Sequence, residues 1–270
     1  MSFQGWIFNF GLSMKYYFIY CLQAFVLLAC SDNNPKMVKT QKSGQQDDTL
    51  AQRWKIVRSA IDSLQEGDLV LRCGNDMVSY SLRDFSQTDK TYSHTGIALL
   101  TDSGMYVYHN MAGDLNPAEV MIREPADSFL APEYNTAIGV YRYRLSDKEK
   151  SELKKIVLEH YKNKLPFDMN FDLSTDDKMY CVEMIAKAVE KATRQKIRFS
   201  KSIVNNDLKN KYLKMALQKN ILPSAKSAEQ REYLAIDNLY LNPHCRQVYK
   251  HVFEDIKVPV KIPSPENDSN

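Results

Sequence analysis

Tyr92-Ser93-His94-Thr95-Gly96-Ile97-Ala98-Leu99-Leu100-Thr101-Asp102-Ser103-Gly104-Met105-Tyr106-Val107-Tyr108-His109-Asn110 is the stretch on which the architecture turns. Two apolar runs, Gly96–Leu100 and Met105–Asn110, flank the turn formers Thr101-Asp102-Ser103-Gly104, so the stretch reads as a β-hairpin. A histidine is attached to each strand. Strands hold side chains in fixed directions, which sets His94 and His109 apart from the other three histidines. His160 falls inside an amphipathic helical pattern, and His244 and His251 have no motif around them.

Outward from the hairpin, strand-like runs recur at Leu69–Cys73, Val120–Arg123 and Ala137–Tyr143, which predicts an antiparallel sheet. Helices bracket it. Trp54, Val57, Ile61 and Leu64 mark one face of a helix over Ala51–Leu64, stopped by Gly67-Asp68. Ser146-Asp147-Lys148-Glu149 matches a capping box, and Leu153, Ile156, Val157 and Tyr161 supply the stripe of the helix it opens. A further helix starts close to Cys181, with Val182, Ile185, Ala186 and Val189 on one face. Residues 199–255 read as a helical, loop-rich extension with helices at Asp207–Gln218 and Glu229–Asn238, and Val258–Asn270 reads as a disordered tail. The fold class is α+β.

The composition narrows the function classes. With 36 basic and 33 acidic residues in 270, the charge balance gives no electrostatic reason to propose nucleic acid as a partner. Residues 16–29 are apolar apart from Gln23 and follow Met14-Lys15, as in a signal peptide; Met14 is the alternative start. At about 1.5 Å rise per residue, such a run falls short of a hydrocarbon core of about 30 Å. Leu27-Leu28-Ala29-Cys30 followed by polar Ser31-Asp32-Asn33-Asn34 looks like a bacterial lipoprotein box, with Cys30 as the acylated residue and residues up to 50 as a polar tether. The expected address is therefore the bacterial cell envelope, on a membrane through the lipid at Cys30. Cys73, Cys181 and Cys245 remain in the body, so one disulfide between Cys73 and Cys245 would leave Cys181 over; the alternative is unpaired, unreactive thiols.

A thiol at a helix N-terminus is expected to be acidified by the backbone N–H groups and the helix dipole. It needs a histidine to take its proton and a third polar group to fix that ring. Cys181 meets the first condition, against the plain alternative of a core cysteine. His94 and His109 are candidates for the others, although His109 shares its strand face with Met105 and Val107 and suits a buried histidine equally well. Tyr92 and Tyr180 flank the candidates and offer hydroxyls to an oxyanion, with core packing as the rival reading. No HxxxH or CxxC pair nucleates a zinc site, and Asp168, Asp172, Asp176 and Asp177 lack the regular spacing of a calcium loop. No cofactor is expected.

Gly67-Asp68-Leu69-Val70, Tyr92-Ser93-His94-Thr95-Gly96-Ile97 and Tyr180-Cys181-Val182-Glu183, in that order, resemble the permuted papain-like amidases of the YiiX/YaeF kind, relatives of NlpC-type cell-wall peptidases. The resemblance covers about residues 64–190. It implies a circularly permuted papain-like fold in which histidine precedes cysteine, with Cys181 as nucleophile, His94 as base and His109 as the orienting third member. The implied substrates are peptide or amino-acyl amides. Val182 replaces the serine usual after the cysteine, and His109 stands where many relatives carry glutamate. A histidine there resembles the lecithin:retinol acyltransferase-like branch, so a lipid thioesterase or acyltransferase is the alternative, and a non-catalytic envelope binding module the second alternative.

Overall fold

The computed structural model describes residues 43–113, 116–204 and 231–253, with side chains from residue 49 onward. Helix α1 (Ser43–Asp62) leads into β1 (Leu69–Gly74), α2 (Met77–Arg83), the hairpin β2 (His94–Thr101) and β3 (Gly104–Asn110), then β4 (Met121–Pro125) and α3 (Ala126–Phe129). There follow β5 (Asn135–Tyr143), α4 (Asp147–Lys162), α5 (Cys181–Ala192), β6 (Ser202–Ile203), β7 (Glu232–Tyr233), α6 (Ile236–Tyr240) and β8 (Cys245–Val252). Six strands form one antiparallel sheet in the order β4-β3-β2-β1-β5-β8. The α+β expectation holds.

Side-chain alternation along the strands feeds two cores, one on each face of the sheet. Leu69, Leu71, Ile97, Leu99 and Tyr108 pack with Leu153, Ile156 and Val157 of α4 and with Val182, Ile185, Ala186 and Val189 of α5. The stripes read from the sequence are these buried faces. On the other side Val70, Ala98, Val107, Ile138 and Val140 meet Val57 and Ala60 of α1 and Phe129 of α3. Helix α4 begins with the expected capping box, Ser146 accepting from the Glu149 N–H and Glu149 from that of Ser146.

Two expectations are corrected. Helix α1 starts at Ser43, inside the stretch read as tether. Near the C-terminus, β7 and a short α6 stand where the helix Glu229–Asn238 was expected, and β8 then joins the main sheet beside β5. Its alternation is weak because polar and charged residues interrupt it: Cys245-Arg246-Gln247-Val248-Tyr249-Lys250-His251-Val252 is an edge strand, and edges tolerate such residues. Of the two readings for Cys73 and Cys245, the unpaired one holds: Cys73, Cys181 and Cys245 are all free. Cys73 pairs with Ala137 and Cys245 with Tyr143, six residues along β5, which puts them about 20 Å apart, far beyond the reach of a disulfide. The signal segment with Cys30, the helix expected at Asp207–Gln218 and the tail Val258–Asn270 lie outside the described residues. Among the described residues no helix is long and apolar enough to cross a membrane.

Candidate active site

The register of the sheet assembles the site. Arg72 of β1 lies opposite His94 of β2, and Val107 of β3 lies opposite Glu124 of β4. Counting in twos from Val70, Ala98 and Val107 puts Arg72, His94, His109 and Glu124 on the α1/α3 face, in a row across four strands. Gly96 stands between His94 and Ala98 on that face, where a Cβ would sit 2.5 Å from Val107 Cγ1 and 3.0 Å from His109 Cβ. The missing side chain clears space for the neighbouring imidazole.

His94 Nε2 and His109 Nδ1 are 2.9 Å apart, a hydrogen bond between rings set nearly perpendicular, with centroids 4.9 Å apart. Phe129 of α3 covers both rings, at 5.8 Å from His94 and 5.1 Å from His109. Arg72 also lies over the Phe129 ring, its guanidinium carbon 4.2 Å from the centroid, and donates to the Phe129 carbonyl at 3.2 Å. His109 is wholly buried, whereas His94 keeps part of its surface exposed. Enclosure of the rings holds both pKa values well below the usual histidine value; the adjoining imidazole adds to this for His94, and the Arg72 cation for both.

Cys181 arrives from the opposite face. Its helix packs on β2 and β3 from the α4/α5 side, and the thiol meets the sheet at the end of the hairpin. Pairing between β2 and β3 runs from Thr101 opposite Gly104 to Ile97 opposite Tyr108 and stops there. Beyond that point the backbone N–H of Thr95 comes near Cys181 Sγ, and with those of Val182 and Cys181 itself it favours the thiolate. The sulfur thus lies close to the residue next to His94. Asn110 holds the splayed end of β3 by donating its amide to the carbonyls of Pro166 at 3.1 Å and Met179 at 2.7 Å.

The expectation of an acidified thiol is reversed. Although Cys181 is only half-buried as a residue, burial of the sulfur outweighs the three N–H donors and the Arg72 charge, and pushes the thiol up to about 11. The helix terminus softens the effect of desolvation without overcoming it.

Neither flanking tyrosine offers a hydroxyl to an oxyanion. Tyr92 is buried against Tyr141 and Tyr240, with its hydroxyl 3.4 Å from the Ile138 carbonyl. Tyr180 accepts from the Leu234 N–H at 2.7 Å and bonds the Leu234 carbonyl at 3.3 Å. Both are core residues. In the acidic stretch, Asp168 accepts from the N–H groups of Asn170 and Asp172, and Asp172 from that of Ser174, so these carboxylates cap turns. Among the described residues no group of three or more His, Cys, Asp or Glu side chains is placed to hold a metal ion. Arg72, Glu124 and Phe129 carried no signal in the sequence, because only the strand register and the packing of α3 on the sheet gather them.

Residues 63–249 match the sequence profile of a family described as permuted papain-like amidase enzyme, YaeF/YiiX, C92 family. The chain belongs to this family. It is therefore a cysteine amidase or peptidase of the permuted papain-like kind, with the histidine-bearing hairpin before the cysteine-bearing helix. A solved structure described as the metalloprotein yiiX from Escherichia coli O157:H7 has a similar fold at 18% identity, with a TM-score of 0.56 over 70% of this chain and 99% of that one. No curated protein sequence matches the chain.

Proposed function

We propose that this family member hydrolyses amides of peptides or amino-acyl groups, cell-wall stem peptides among them, through Cys181, His94 and His109. The observation that carries the reading is the 2.9 Å bond between His94 Nε2 and His109 Nδ1. It occupies one nitrogen of His94 and leaves Nδ1 as the one that can take a thiol proton. The Thr95 amide on Cys181 Sγ supports the pairing, since it brings the sulfur to the residue beside His94.

With thiol and imidazoles both neutral at rest, proton transfer accompanies attack. The Sγ proton moves to His94 Nδ1 as sulfur bonds the carbonyl carbon, and the oxyanion grows beside the Cys181 N–H. The C–N bond then breaks as His94 returns its proton to the leaving amine. Water attacks the thioester, giving one proton to His94, and collapse releases the carboxylic acid and restores the thiol. His109 holds the ring of His94 through both steps.

The yiiX protein is described as a metalloprotein. In this chain the two imidazole nitrogens are directed at each other and share a proton at 2.9 Å, so these residues do not fit a resident ion and no step runs through one. The address we propose is the bacterial envelope, with acyl chains on Cys30 holding the enzyme at a membrane; Cys30→Ser is expected to move the protein from the membrane to the soluble fraction.

Cys181→Ala is expected to abolish release of amine from peptide and amino-acyl amides while leaving the thermal unfolding curve in place. A wild-type acyl-enzyme trapped by mass spectrometry supports the covalent route, and hydrolysis retained in the alanine variant removes it. A second reading rests on the histidine in the third position: the acyl group comes from a lipid ester. Release of fatty acid without amide cleavage favours that reading.

A further inference from the structure

The histidine pair has an open end. His109 uses Nδ1 on His94, while its Nε2 is buried without a hydrogen-bond partner. Glu124 Oε1 lies 3.7 Å from that nitrogen, beyond a hydrogen bond but within one side-chain adjustment of it. The other oxygen of the same carboxylate, Oε2, is 3.4 Å from Arg72 Nη1. Arg72 is in turn fixed by the Phe129 carbonyl and ring, so it moors that oxygen of the carboxylate.

We propose that Glu124 is a positioning residue that sets the polarity of the whole row. Its carboxylate accepts the Nε2 proton of His109, which makes His109 Nδ1 an acceptor. His94 must then carry its proton on Nε2, and its Nδ1 lone pair is left for the thiol of Cys181. One carboxylate thereby decides, two rings away, which nitrogen of the base is basic. The opposite tautomer of His109 would put the Nδ1 proton toward His94, force the His94 proton onto Nδ1, and turn the base into a donor facing the sulfur. It would also set a bare imidazole lone pair against the carboxylate. Catalytic hydrogen bonds often stand long in a ligand-free site, and a gap of 3.7 Å closing to about 2.9 Å is a change of that kind.

The charges around His109 agree with the assignment. Arg72 from β1, Glu124 from β4 and the His94 imidazole from β2 are the titratable groups of this row; the Cys181 thiol of α5 and the Asp76 carboxylate act on Arg72 from outside it, and α3 contributes the uncharged Phe129. Arg72 alone disfavours an imidazolium, and the Glu124 carboxylate paired with it offsets part of that charge. The carboxylate therefore both orients the pair and permits the transient positive charge that His94 carries after taking the thiol proton. No proton has to leave His94 for this to work.

The inference rests on the proposed roles of Cys181 and His94, and its decisive test is independent of them. Long-range proton–nitrogen correlation spectra of the folded, histidine-labelled wild type at pH 7 are expected to show His109 and His94 both protonated on Nε2. A proton on His109 Nδ1 overturns the proposal, whatever Cys181 does. Alkylation of Cys181 by iodoacetamide, followed by mass spectrometry from pH 4 to pH 9, is the second arm. Glu124→Ala is expected to slow it about tenfold at pH 7, of the order of a lost general-base arrangement. Glu124→Gln, which keeps an acceptor but loses the charge, should keep most of the neutral rate and move the acid limb to lower pH. Profiles superimposable on wild type in folded variants overturn the proposal. An inert wild-type Cys181 with His109 protonated on Nε2 overturns the nucleophile assignment alone and supports the tautomer lock.

Discussion

At the scale of single residues, the site pits burial against charge, and burial prevails. Cys181 has what usually makes a cysteine acidic, a helix N-terminus and a cation in Arg72, yet its thiol is pushed up to about 11, and His94 and His109 are held below the usual histidine range. The sign follows directly: a raised thiol is neutral at pH 7, and a lowered imidazole is also neutral there, so the resting pair carries no charge. A thiolate–imidazolium pair would absorb near 240 nm at neutral pH. The expected outcome is that the difference in absorbance between wild type and Cys181→Ala is absent at pH 7 and emerges only as the pH climbs toward 11. A difference signal flat from pH 5 to pH 9 at full thiolate amplitude would show a preformed ion pair and replace concerted proton transfer with attack by a standing thiolate. Cys181, His94 and His109 stand out as candidates in the sequence because their types and order are chemically unusual. The loss of acidity was not legible there, because desolvation depends on everything packed around the sulfur and leaves no mark in the neighbouring letters.

At the scale of elements, the geometry of the candidate site comes from one place where regular pairing stops. The hairpin was legible from its apolar runs and turn, and so were the stripes of α4 and α5, since burial imposes periods of 2 and 3.6 on the letters. The end of β2–β3 pairing at Ile97 and Tyr108 was not, because there the Asn110 side chain bonds carbonyls of Pro166 and Met179, far along the chain. Gly96 sits where this matters most. Alanine there would bring a Cβ to 2.8 Å from the Tyr108 carbonyl as well as against Val107 and His109, and two of these three neighbours cannot swing aside because they are backbone and a β-branched side chain in a packed sheet. Gly96→Ala is expected to destabilise the protein by about 1–3 kcal/mol, the usual range for overpacking, and to cut Cys181 alkylation by more than the lost folded fraction accounts for. Denaturant unfolding monitored with alkylation on the same sample separates the two effects. Equal losses in both would mean that the glycine serves packing alone.

At the scale of the molecule, the order β4-β3-β2-β1-β5-β8 puts the site strands at one side and the last described strand at the other, joined through β1 and β5. The edge position of β8 explains why its sequence misled, and the central positions of β1 and β5 explain why theirs did not: strands buried on both faces stay apolar, while an edge strand need not. One polar contact crosses the middle of this sheet. Asp68, almost wholly buried at the entry to β1, takes two bonds from Arg142 of β5, at 2.6 Å from Nε and 2.7 Å from Nη2, and a third from the Gln65 N–H at 2.8 Å. Gly67, with φ +88°, makes the turn that delivers it. The Gly67-Asp68 pair that reads as a helix stop is thus also a clamp between strands that are neighbours in space but more than sixty residues apart in sequence. Asp68→Ala leaves the Arg142 guanidinium without its counter-charge, and breaking a buried pair in this way costs about 3–5 kcal/mol. The expected result is a lower urea midpoint with an unchanged slope. Adding Arg142→Leu to Asp68→Ala should return part of the loss, because no unpaired charge remains; a double variant as unstable as the sum of the single ones would show that the two side chains act separately.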